Sequence, residues 1–336
     1  MKASLLLLSS CLLSLSFAHR PQIDNEAIWK SLSTSSRYIA PTINLTNIQV
    51  RQPYSTNCTP TVLMHGLGDS SSNSGMESLA QSIMTAYPGC YAVNAAVGDG
   101  LFSFIIPIQD QVNEFIQFVQ NDPILSASTE INVVGLSQGG LIVRGYIEQR
   151  GPTDPNVKNF VSICGVQNGV YNCPLELQII PFLCDIFESD PYNFLFNGSI
   201  PLSFSDYFVT FWDKNEFLTH NQYLPKINNL LGMNQPNATQ YRTNMLNLNQ
   251  IVLSQATEDT VVYPYQSEQF GGYQWTNGTK TNTTIYTLQN SDQWNYDYIG
   301  LKTLTQNNQI LFTEFQGDHL KFNDSYWNDI IIPYLH

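Results

Sequence analysis

The sequence INVVGLSQGGLIV occupies residues 131–143 of a chain of 336 residues. Its first part, Ile131–Leu136, is a short apolar run that predicts a buried β-strand, and Gly139–Glu148 directly behind it predicts a helix. Between strand and helix, the residues around Ser137 match the pattern G-x-S-x-G. A strand, a tight turn and a helix are the context in which this pattern presents a nucleophilic serine, so Ser137 is the candidate nucleophile.

The alternative for this turn is a glycine-rich loop with a passenger serine, because the pattern is short. The turn is so tight that the serine takes a strained backbone conformation, and glycine at the flanking positions avoids collision with the neighbouring strand and helix. The Oγ of Ser137 would then stand at the start of a helix whose dipole favours developing negative charge. The strand before the serine, the helix behind it and the partners downstream favour catalysis.

Further short apolar runs predict strands at Thr61–His65, Tyr91–Val97, Phe160–Cys164, Gln250–Ala256 and Gln309–Phe315. Helices are predicted at Gly75–Tyr87, behind Pro107, and at the end of the chain over Ser325–Leu335. Alternation of strand and helix predicts a parallel sheet that is covered on both faces. The predicted class is therefore α/β, an α/β-hydrolase with a mostly parallel central sheet and helices on both faces.

The alternation stops between Gly165 and about Asn249. This stretch is rich in Asn, Phe, Tyr and Leu, with aromatic clusters at Tyr192–Phe196 and Tyr207–Trp212. Because it lies between two predicted strands of one sheet, we interpret it as an insertion over the sheet edge and the active site. Residues 19–336 are thus predicted to form a single domain.

The first 18 residues have the features of a signal peptide. Lys2 supplies the positive charge, Leu5–Leu13 the apolar run, and Ala18 the position before cleavage. The apolar run is shorter than the ~20 residues that span a bilayer, so an anchor is disfavoured and no membrane span is expected. Seven glycosylation sequons agree with the secretory route: Asn44, Asn57, Asn197, Asn237, Asn277, Asn282 and Asn323.

The formal net charge is −13 and the isoelectric point is near 4.6. Such a surface repels phosphate backbones, so nucleic-acid binding is disfavoured, and a low isoelectric point suits an acidic compartment. No Cys-x-x-Cys or His-x-x-x-His spacing is present. Neither a metal nor a cofactor is therefore expected.

Six cysteines are present, and one of them leaves with the predicted signal peptide. At least one of the remaining five is therefore unpaired or pairs between chains. One predicted disulfide joins Cys173 to Cys184, which are separated by a short loop. The other joins Cys58 to Cys90, because these residues precede two strands that would lie side by side. Cys164 ends an apolar run and is expected to be a buried thiol.

The base and acid of a triad follow the serine in this fold, in the order Ser, Asp or Glu, His. Only His319 fits, since the other histidines precede the serine, lie in the insertion or stand at a chain end: His65, His220, His19 and His336. The acid should follow a strand, and the strand Gln250–Ala256 is followed by Glu258 and Asp259. Asp259 is the predicted acid, and Glu258 is its nearest rival.

Two backbone N–H groups should form an oxyanion hole, in which they face the carbonyl oxygen of the substrate as that oxygen gains negative charge. One belongs to Gln138, the residue after the nucleophile, and the other to the loop His65–Ser70 after an earlier strand. Leu67 is the predicted donor of this loop, because glycines on both sides leave its backbone approachable. His65 is expected to order the loop rather than to transfer protons.

Several blocks of this sequence resemble the signature blocks of palmitoyl-protein thioesterases, in the same order along the chain. The blocks are His65–Ser70, Gly135–Gly140, Glu258–Val262, Ile299–Leu304 and Gly317–Leu320. Cys173 and Cys184 also resemble a disulfide loop of that family. Some members have adjacent cysteines where this chain has Ser71 and Ser72, which is a departure from the family pattern.

The resemblance implies an enzyme of the lysosome or the secretory pathway that removes long-chain acyl groups from S-acylated proteins, peptides or other acyl thioesters. It places nucleophile, acid and base on Ser137, Asp259 and His319, in agreement with the residues taken by themselves. One alternative is a lipase or carboxylesterase, because oxygen esters pass through the same kind of acyl-enzyme. A non-catalytic binding protein is the other, and it is disfavoured because all three triad residues are present.

Overall fold

The computed structural model describes residues 58–172, 202–281 and 284–336. The strands of its central sheet are β1 (Thr61–Met64), β2 (Ala92–Asn94), β3 (Glu130–Leu136), β4 (Asn156–Ile163), β5 (Gln250–Ala256) and β8 (Ile310–Phe315). All neighbours are parallel, in the order β2-β1-β3-β4-β5-β8. A small antiparallel pair is formed by β6 (Gly272–Tyr273) and β7 (Ile285–Tyr286).

The α-helices of the described residues are α1 (Ser74–Ala86), α2 (Phe102–Ile105), α3 (Ile108–Asn121), α4 (Gln138–Gln149), α5 (Lys214–His220), α6 (Leu224–Ile227), α7 (Ala238–Leu246), α8 (Asp292–Tyr296), α9 (Leu301–Gln306) and α10 (Asp324–Tyr326). Two 3₁₀ turns, Ser203–Tyr207 and Tyr265–Gln269, lie close to the site described below. Among the helices of these residues, none is long and apolar enough to cross a membrane.

Alternate residues of the strands face two separate apolar cores, as the pleat of a β-strand requires. In β1, Val62 and Met64 pack into the core that contains the buried faces of α3 and α4. Leu63 between them packs into the second core, together with residues of α1 and of the C-terminal segment. Helices therefore cover both faces of a parallel sheet, and the predicted α/β-hydrolase fold is confirmed.

The C-terminal segment differs from the single closing helix predicted over Ser325–Leu335. It begins as α10, widens into a π-helix at Trp327–Ile331 and tightens to a 3₁₀ turn at Ile332–Tyr334. Pro333 lies in the last turn and has no N–H, so a regular α-helix cannot continue through it. The sequence analysis also missed α2 and the β6–β7 pair, which are too short to show a period.

The described part of the insertion, residues 165–172 and 202–249, docks on the sheet through a buried carboxyl group. Asp206 Oδ2 accepts a hydrogen bond of 2.8 Å from the backbone N–H of Ile108, at the N-terminus of α3. That terminus carries N–H groups without helical partners and the positive end of the helix dipole. Asp206 thus joins the insertion to a helix that packs on the sheet.

Two buried carboxyl groups in this region hold their protons unusually tightly. Burial raises the pKa of Asp206 to about 6, against the hydrogen bond from Ile108 that favours the charged form. Burial also raises the pKa of Glu148 to about 8, although Arg144 lies 3.1 Å away. Desolvation therefore outweighs the nearby positive charge at Glu148.

These shifts predict that the free energy of unfolding falls as the pH rises. The unfolded chain releases the two protons near the ordinary pKa values of 3.8 and 4.5, and the folded chain releases them only near 6 and 8. Stability from a raised pKa is present at low pH and is lost as the pH passes the folded value. Urea unfolding followed by tryptophan fluorescence should give a higher midpoint at about pH 5 than at about pH 8.

Asp206→Asn should make this pH dependence shallower, because the amide keeps an acceptor for Ile108 but does not titrate. Asp329→Asn, on an exposed residue, serves as the control and should leave the slope unchanged. A midpoint that is flat or rises toward pH 8 in the native sequence would contradict this prediction.

Candidate active site

Ser137 lies on the tight turn between β3 and α4 and has a positive φ, which is rare for residues other than glycine. Its φ is 53° and its ψ −124°, and its side chain is buried. A side chain at Gly139 would collide with the carbonyl oxygens of Met64 and His65, and one at Gly135 would lie 2.5 Å from the backbone of α4. The glycines of the motif are therefore needed for the close approach of α4 to two strands.

Three of the predicted residues meet at the carboxyl ends of three parallel strands. Ser137 follows β3, Asp259 follows β5 and His319 follows β8. His319 Nε2 lies 2.9 Å from Ser137 Oγ, and its Nδ1 lies 2.6 Å from Asp259 Oδ2. All three side chains are buried. Parallel strands bring their carboxyl ends to one edge, which is how residues up to 182 positions apart come into contact.

The hydrogen bonds assign the protons of His319. Because Asp259 can only accept when ionised, Nδ1–H donates to its carboxylate, and Nε2 is left to accept from the Ser137 hydroxyl. The other oxygen of Asp259 accepts 2.7 Å hydrogen bonds from the backbone N–H groups of Val261 and Val262. These donors hold the carboxylate in a single orientation toward the imidazole.

Glu258, the nearest rival for the acid, points elsewhere. Its side chain is exposed and accepts a hydrogen bond of 3.3 Å from Gln316. Asp259 is the residue of the pair that faces His319.

The loop after β1 passes directly over Ser137. A Cβ at Gly66 would lie 3.0 Å from the Cβ of Ser137, so only glycine allows this approach without a shift. In the same loop, Gly68 donates its N–H to Ser103 Oγ at 2.7 Å, and Asp69 donates to the carbonyl of Gly66 at 3.3 Å. The backbone N–H groups of Gly68 and Asp69 therefore already donate to acceptors within the protein.

His65 orders this loop through both ring nitrogens. Nδ1 lies 2.8 Å from the carbonyl oxygen of Gly66, and Nε2 lies 2.9 Å from Asp99 Oδ1. Asp99 also accepts from the N–H and the hydroxyl of Ser71, each at 2.9 Å. Burial acts to raise the pKa of Asp99, but the hydrogen bonds from His65 and Ser71 outweigh it and lower the pKa. Ser71 therefore has a polar role here, as a donor to Asp99.

Asp99 was missed in the sequence analysis, although a signal was present. It stands between Gly98 and Gly100 just beyond β2, and an acid between two glycines after a strand is typical of a loop that carries function.

The family model described as palmitoyl protein thioesterase matches residues 60–319, which is most of the chain. The chain is 31% identical over 282 residues to palmitoyl-protein thioesterase 3 of Dictyostelium discoideum, covering 82% of the chain and 92% of that protein. The chain belongs to the palmitoyl protein thioesterase family. The resemblance found in the sequence is confirmed, and membership makes the chain a hydrolase of the thioesterase class.

Other similar proteins include lysosomal thioesterase PPT2 of Homo sapiens, which is 26% identical over 282 residues, with 83% of the chain and 87% of that protein covered. Among solved structures, a carboxylesterase of Bacillus subtilis aligns with a TM-score of 0.41 and 11% identity, over 92% of this chain and 97% of its own. A monoacylglycerol lipase of Paleococcus ferrophilus gives a TM-score of 0.41 and 15% identity, over 83% and 95%.

Gln138, the residue after Ser137, is where the 3₁₀ turn Ser203–Tyr207 of this thioesterase contacts the site. Its Oε1 accepts hydrogen bonds of 2.9 Å from Ser203 Oγ and from Tyr207 Oη, both in the insertion. Its Nε2 donates to the carbonyl of Ser103 at 3.1 Å and to Gln111 at 3.3 Å. From the sequence, only the backbone N–H of Gln138 was predicted to take part in the site. The contacts of its side chain with Ser203 and Tyr207 were not predicted.

The cysteines of the described residues form one disulfide. Cys58 and Cys90, which precede β1 and β2, are joined with their Cα atoms 5.4 Å apart, and Cys164 is a buried free thiol. Cys173 and Cys184 lie outside the described residues.

Three of the seven sequon asparagines lie within the described residues, and all three are exposed: Asn237, Asn277 and Asn323. The side chain of Asn323 also accepts a hydrogen bond from Tyr326 at the start of α10. Outside the described residues lie Asn44, Asn57, Asn197 and Asn282.

The close packing at the turn predicts that Gly139→Ala destabilises the fold. The added methyl group would meet two backbone carbonyl oxygens, which cannot move without shifting β1. We expect a loss of at least about 2 kcal/mol in the free energy of unfolding. Gly151→Ala is the matched control, because its Cβ would lie 3.5 Å from the nearest atom, an ordinary contact. Equal urea midpoints for the two variants would show that the turn is looser than described.

Proposed function

We propose that this thioesterase hydrolyses long-chain acyl thioesters of S-acylated cysteines, with Ser137 as nucleophile, His319 as general base and Asp259 as its orienting acid. The observation that carries the proposal is the position of the His319 ring, which bridges the Ser137 hydroxyl and the Asp259 carboxylate. Family membership supports the thioester as the reacting bond. The substrate class in the names of the relatives supports the acyl group.

The reaction would pass through an acyl-enzyme. As Ser137 Oγ bonds to the thioester carbonyl carbon, its proton moves to His319 Nε2, and Asp259 stabilises the resulting imidazolium. The carbon–sulfur bond then breaks as the cysteine sulfur takes the proton from His319 Nε2, so the cysteine leaves as a thiol and His319 is neutral again. Water, deprotonated by His319, next attacks the acyl-enzyme and releases the fatty acid and the free serine.

The proposed oxyanion donors are the backbone N–H groups of Leu67 and Gln138. Gln138 is the first residue of α4, where N–H groups lack helical partners and the dipole favours an anion. The hydrogen bonds of its side chain support a fixed backbone at this position. For the loop, Gly68 and Asp69 already donate their N–H groups inside the protein, which supports Leu67 as the donor.

We further propose that residues 1–18 act as a signal peptide and that residues 19–336 form one domain with an insertion at about 165–249. The exposed Asn237, Asn277 and Asn323 are accessible enough for glycosylation. The names of similar proteins support a lysosomal destination within the secretory route.

The acyl chain would run from Ser137 along the insertion, which contacts the site at Gln138. The apolar side chains proposed for this groove lie outside the described residues: Ile179, Ile180, Phe182, Leu183, Phe194 and Phe196. Each buried methylene contributes about 0.8 kcal/mol, so a groove of this kind would make chain length the main determinant of substrate choice.

The substrate prediction is tested with S-acyl peptides of increasing chain length beside their oxygen-ester analogues, below the concentrations at which micelles form. We expect kcat/KM to rise steadily from butyryl to palmitoyl thioesters. We also expect each thioester to react faster than its oxygen ester, because a thiol is the better leaving group. A preference for short chains, or for oxygen esters, would favour the carboxylesterase alternative.

The catalytic roles are tested by three variants that preserve shape. Ser137→Ala should lower turnover by several orders of magnitude while the protein still folds, because the covalent route closes. Asp259→Asn should lower kcat by about 10⁴, as in a related triad, since an amide supports the wrong imidazole tautomer. The matched control is Glu258→Gln, the same kind of change on the exposed neighbour, which should cost little. A Glu258 variant that is the inactive one would place the acid one residue earlier.

A further inference from the structure

A second carboxyl group lies behind the acid of the triad. Glu268 belongs to the 3₁₀ turn Tyr265–Gln269, which packs on β5, and its side chain is fully buried. Its Oε2 accepts a hydrogen bond of 3.0 Å from the backbone N–H of Ala256, the last residue of β5. Its carboxyl group also interacts with the side chains of Asp259 and Cys164, which both act on its pKa.

Two interacting carboxyl groups in a buried site do not ionise together, because each negative charge raises the energy of the other. Asp259 accepts three hydrogen bonds, from His319 and from the N–H groups of Val261 and Val262. Glu268 accepts one from the backbone, and its Oε1 is buried without a partner that donates to it. The environment therefore favours the negative charge on Asp259 and the proton on Glu268.

We propose that Glu268 is a positioning residue of the triad that stays protonated and donates its O–H to the carboxylate of Asp259. This inference rests on the proposed role of Asp259. The added hydrogen bond would be the fourth to this carboxylate and would further restrict its orientation toward the imidazole of His319. If Oε1 carries the proton, this buried oxygen of Glu268, which has no other partner, would donate its O–H to Asp259.

The surroundings of Glu268 agree with a neutral acid. Burial, followed by the charge of Asp259 and the hydrogen bond to it, raises the pKa of Glu268 well above its ordinary value. Burial likewise raises the pKa of the Cys164 thiol, so this neighbour is neutral too. The further titratable groups that face this cluster in the described part of the chain are Tyr326, on the C-terminal segment, and His319. His319 belongs to a compact group with Cys164 and Asp259, whose facing atoms all lie within 4.8 Å of one another.

In this role Glu268 is a positioning residue and not a catalytic one. It does not touch Ser137 and would not exchange a proton during the reaction. Its effect would pass through the orientation of Asp259, and through the suppression of a second negative charge beside it. An amide can replace a protonated carboxyl group in this role, because its NH2 group donates and its carbonyl oxygen accepts.

The experiment compares Glu268→Gln, Glu268→Leu and the exposed control Glu258→Gln. Glu268→Gln should keep kcat/KM within about threefold of the native value, with the acid limb of the pH profile unmoved, because the amide can still donate to Asp259. Glu268→Leu has no donor and should lower kcat about tenfold or more with little change in KM. Thermal unfolding of each variant reports whether it is folded.

Two readouts do not depend on the substrate. At neutral pH the infrared C=O band of protonated carboxylic acids, to which Glu148 also contributes, should lose intensity in Glu268→Gln and keep its native intensity in Glu258→Gln. The rate at which a fluorophosphonate labels Ser137 should fall in Glu268→Leu and not in Glu268→Gln. A native protein that is labelled rapidly but does not cleave palmitoyl thioesters would refute the proposed substrate and leave this inference open to the same two readouts.

Three results would overturn the inference. An unchanged infrared band in Glu268→Gln would show that Glu268 is ionised in the native protein. A large loss of activity in Glu268→Gln, with the acid limb moved to lower pH, would show that a negative charge on Glu268 supports the imidazolium. Full activity in a folded Glu268→Leu would show that the hydrogen bond to Asp259 has no effect on the triad.

Discussion

The close approach of α4 to the ends of β1 and β3 is the constraint on which the rest of the site depends. Gly139 lies against the carbonyl oxygens of Met64 and His65, so the helix begins almost in contact with the neighbouring strand. This contact forces Ser137 to a positive φ and directs its side chain toward the carboxyl edge of the sheet. It also brings the loop with Gly66 over the nucleophile. Because interiors are close-packed and their carbonyl groups are fixed by the sheet, these positions cannot be adjusted one at a time.

The electrostatics of the site follow from placing several ionisable groups where water is excluded. A buried carboxylate is stable only when donors surround it, and Asp259 has two backbone donors besides His319. The same low polarity raises the pKa of two further buried acids, Glu148 and Asp206.

The insertion is attached to the site by polar contacts as well as by apolar packing. Ser203 and Tyr207 hold the side chain of Gln138, and Asp206 between them holds the start of α3. One short 3₁₀ turn thus contacts the residue after the nucleophile and a helix that covers the sheet. A change at Ser203 or Tyr207 can therefore reach Gln138, the neighbour of Ser137, without any direct contact to Ser137.

Much of this arrangement could be predicted from the sequence, because it depends on local pattern and chain order. The strand Gln250–Ala256 was predicted with the bounds that the structure has, and the spacing of strands and helices indicated the parallel sheet. The motif around Ser137 pointed to the nucleophile, and the order of residues after it left His319 and Asp259 as its partners.

Only the tertiary structure decided which side chains support these residues. Asp99 reaches His65 across 34 positions, and Tyr207 reaches Gln138 across 69, with no repeat or motif that links the two partners. Glu268 is close to Asp259 in sequence, yet nothing in the sequence says that the 3₁₀ turn folds back on β5. Such contacts are set by strand register and by the packing of irregular segments, which depend on the whole fold. A local pattern of residue types therefore determines where the reacting groups stand along the chain, and packing determines what surrounds them.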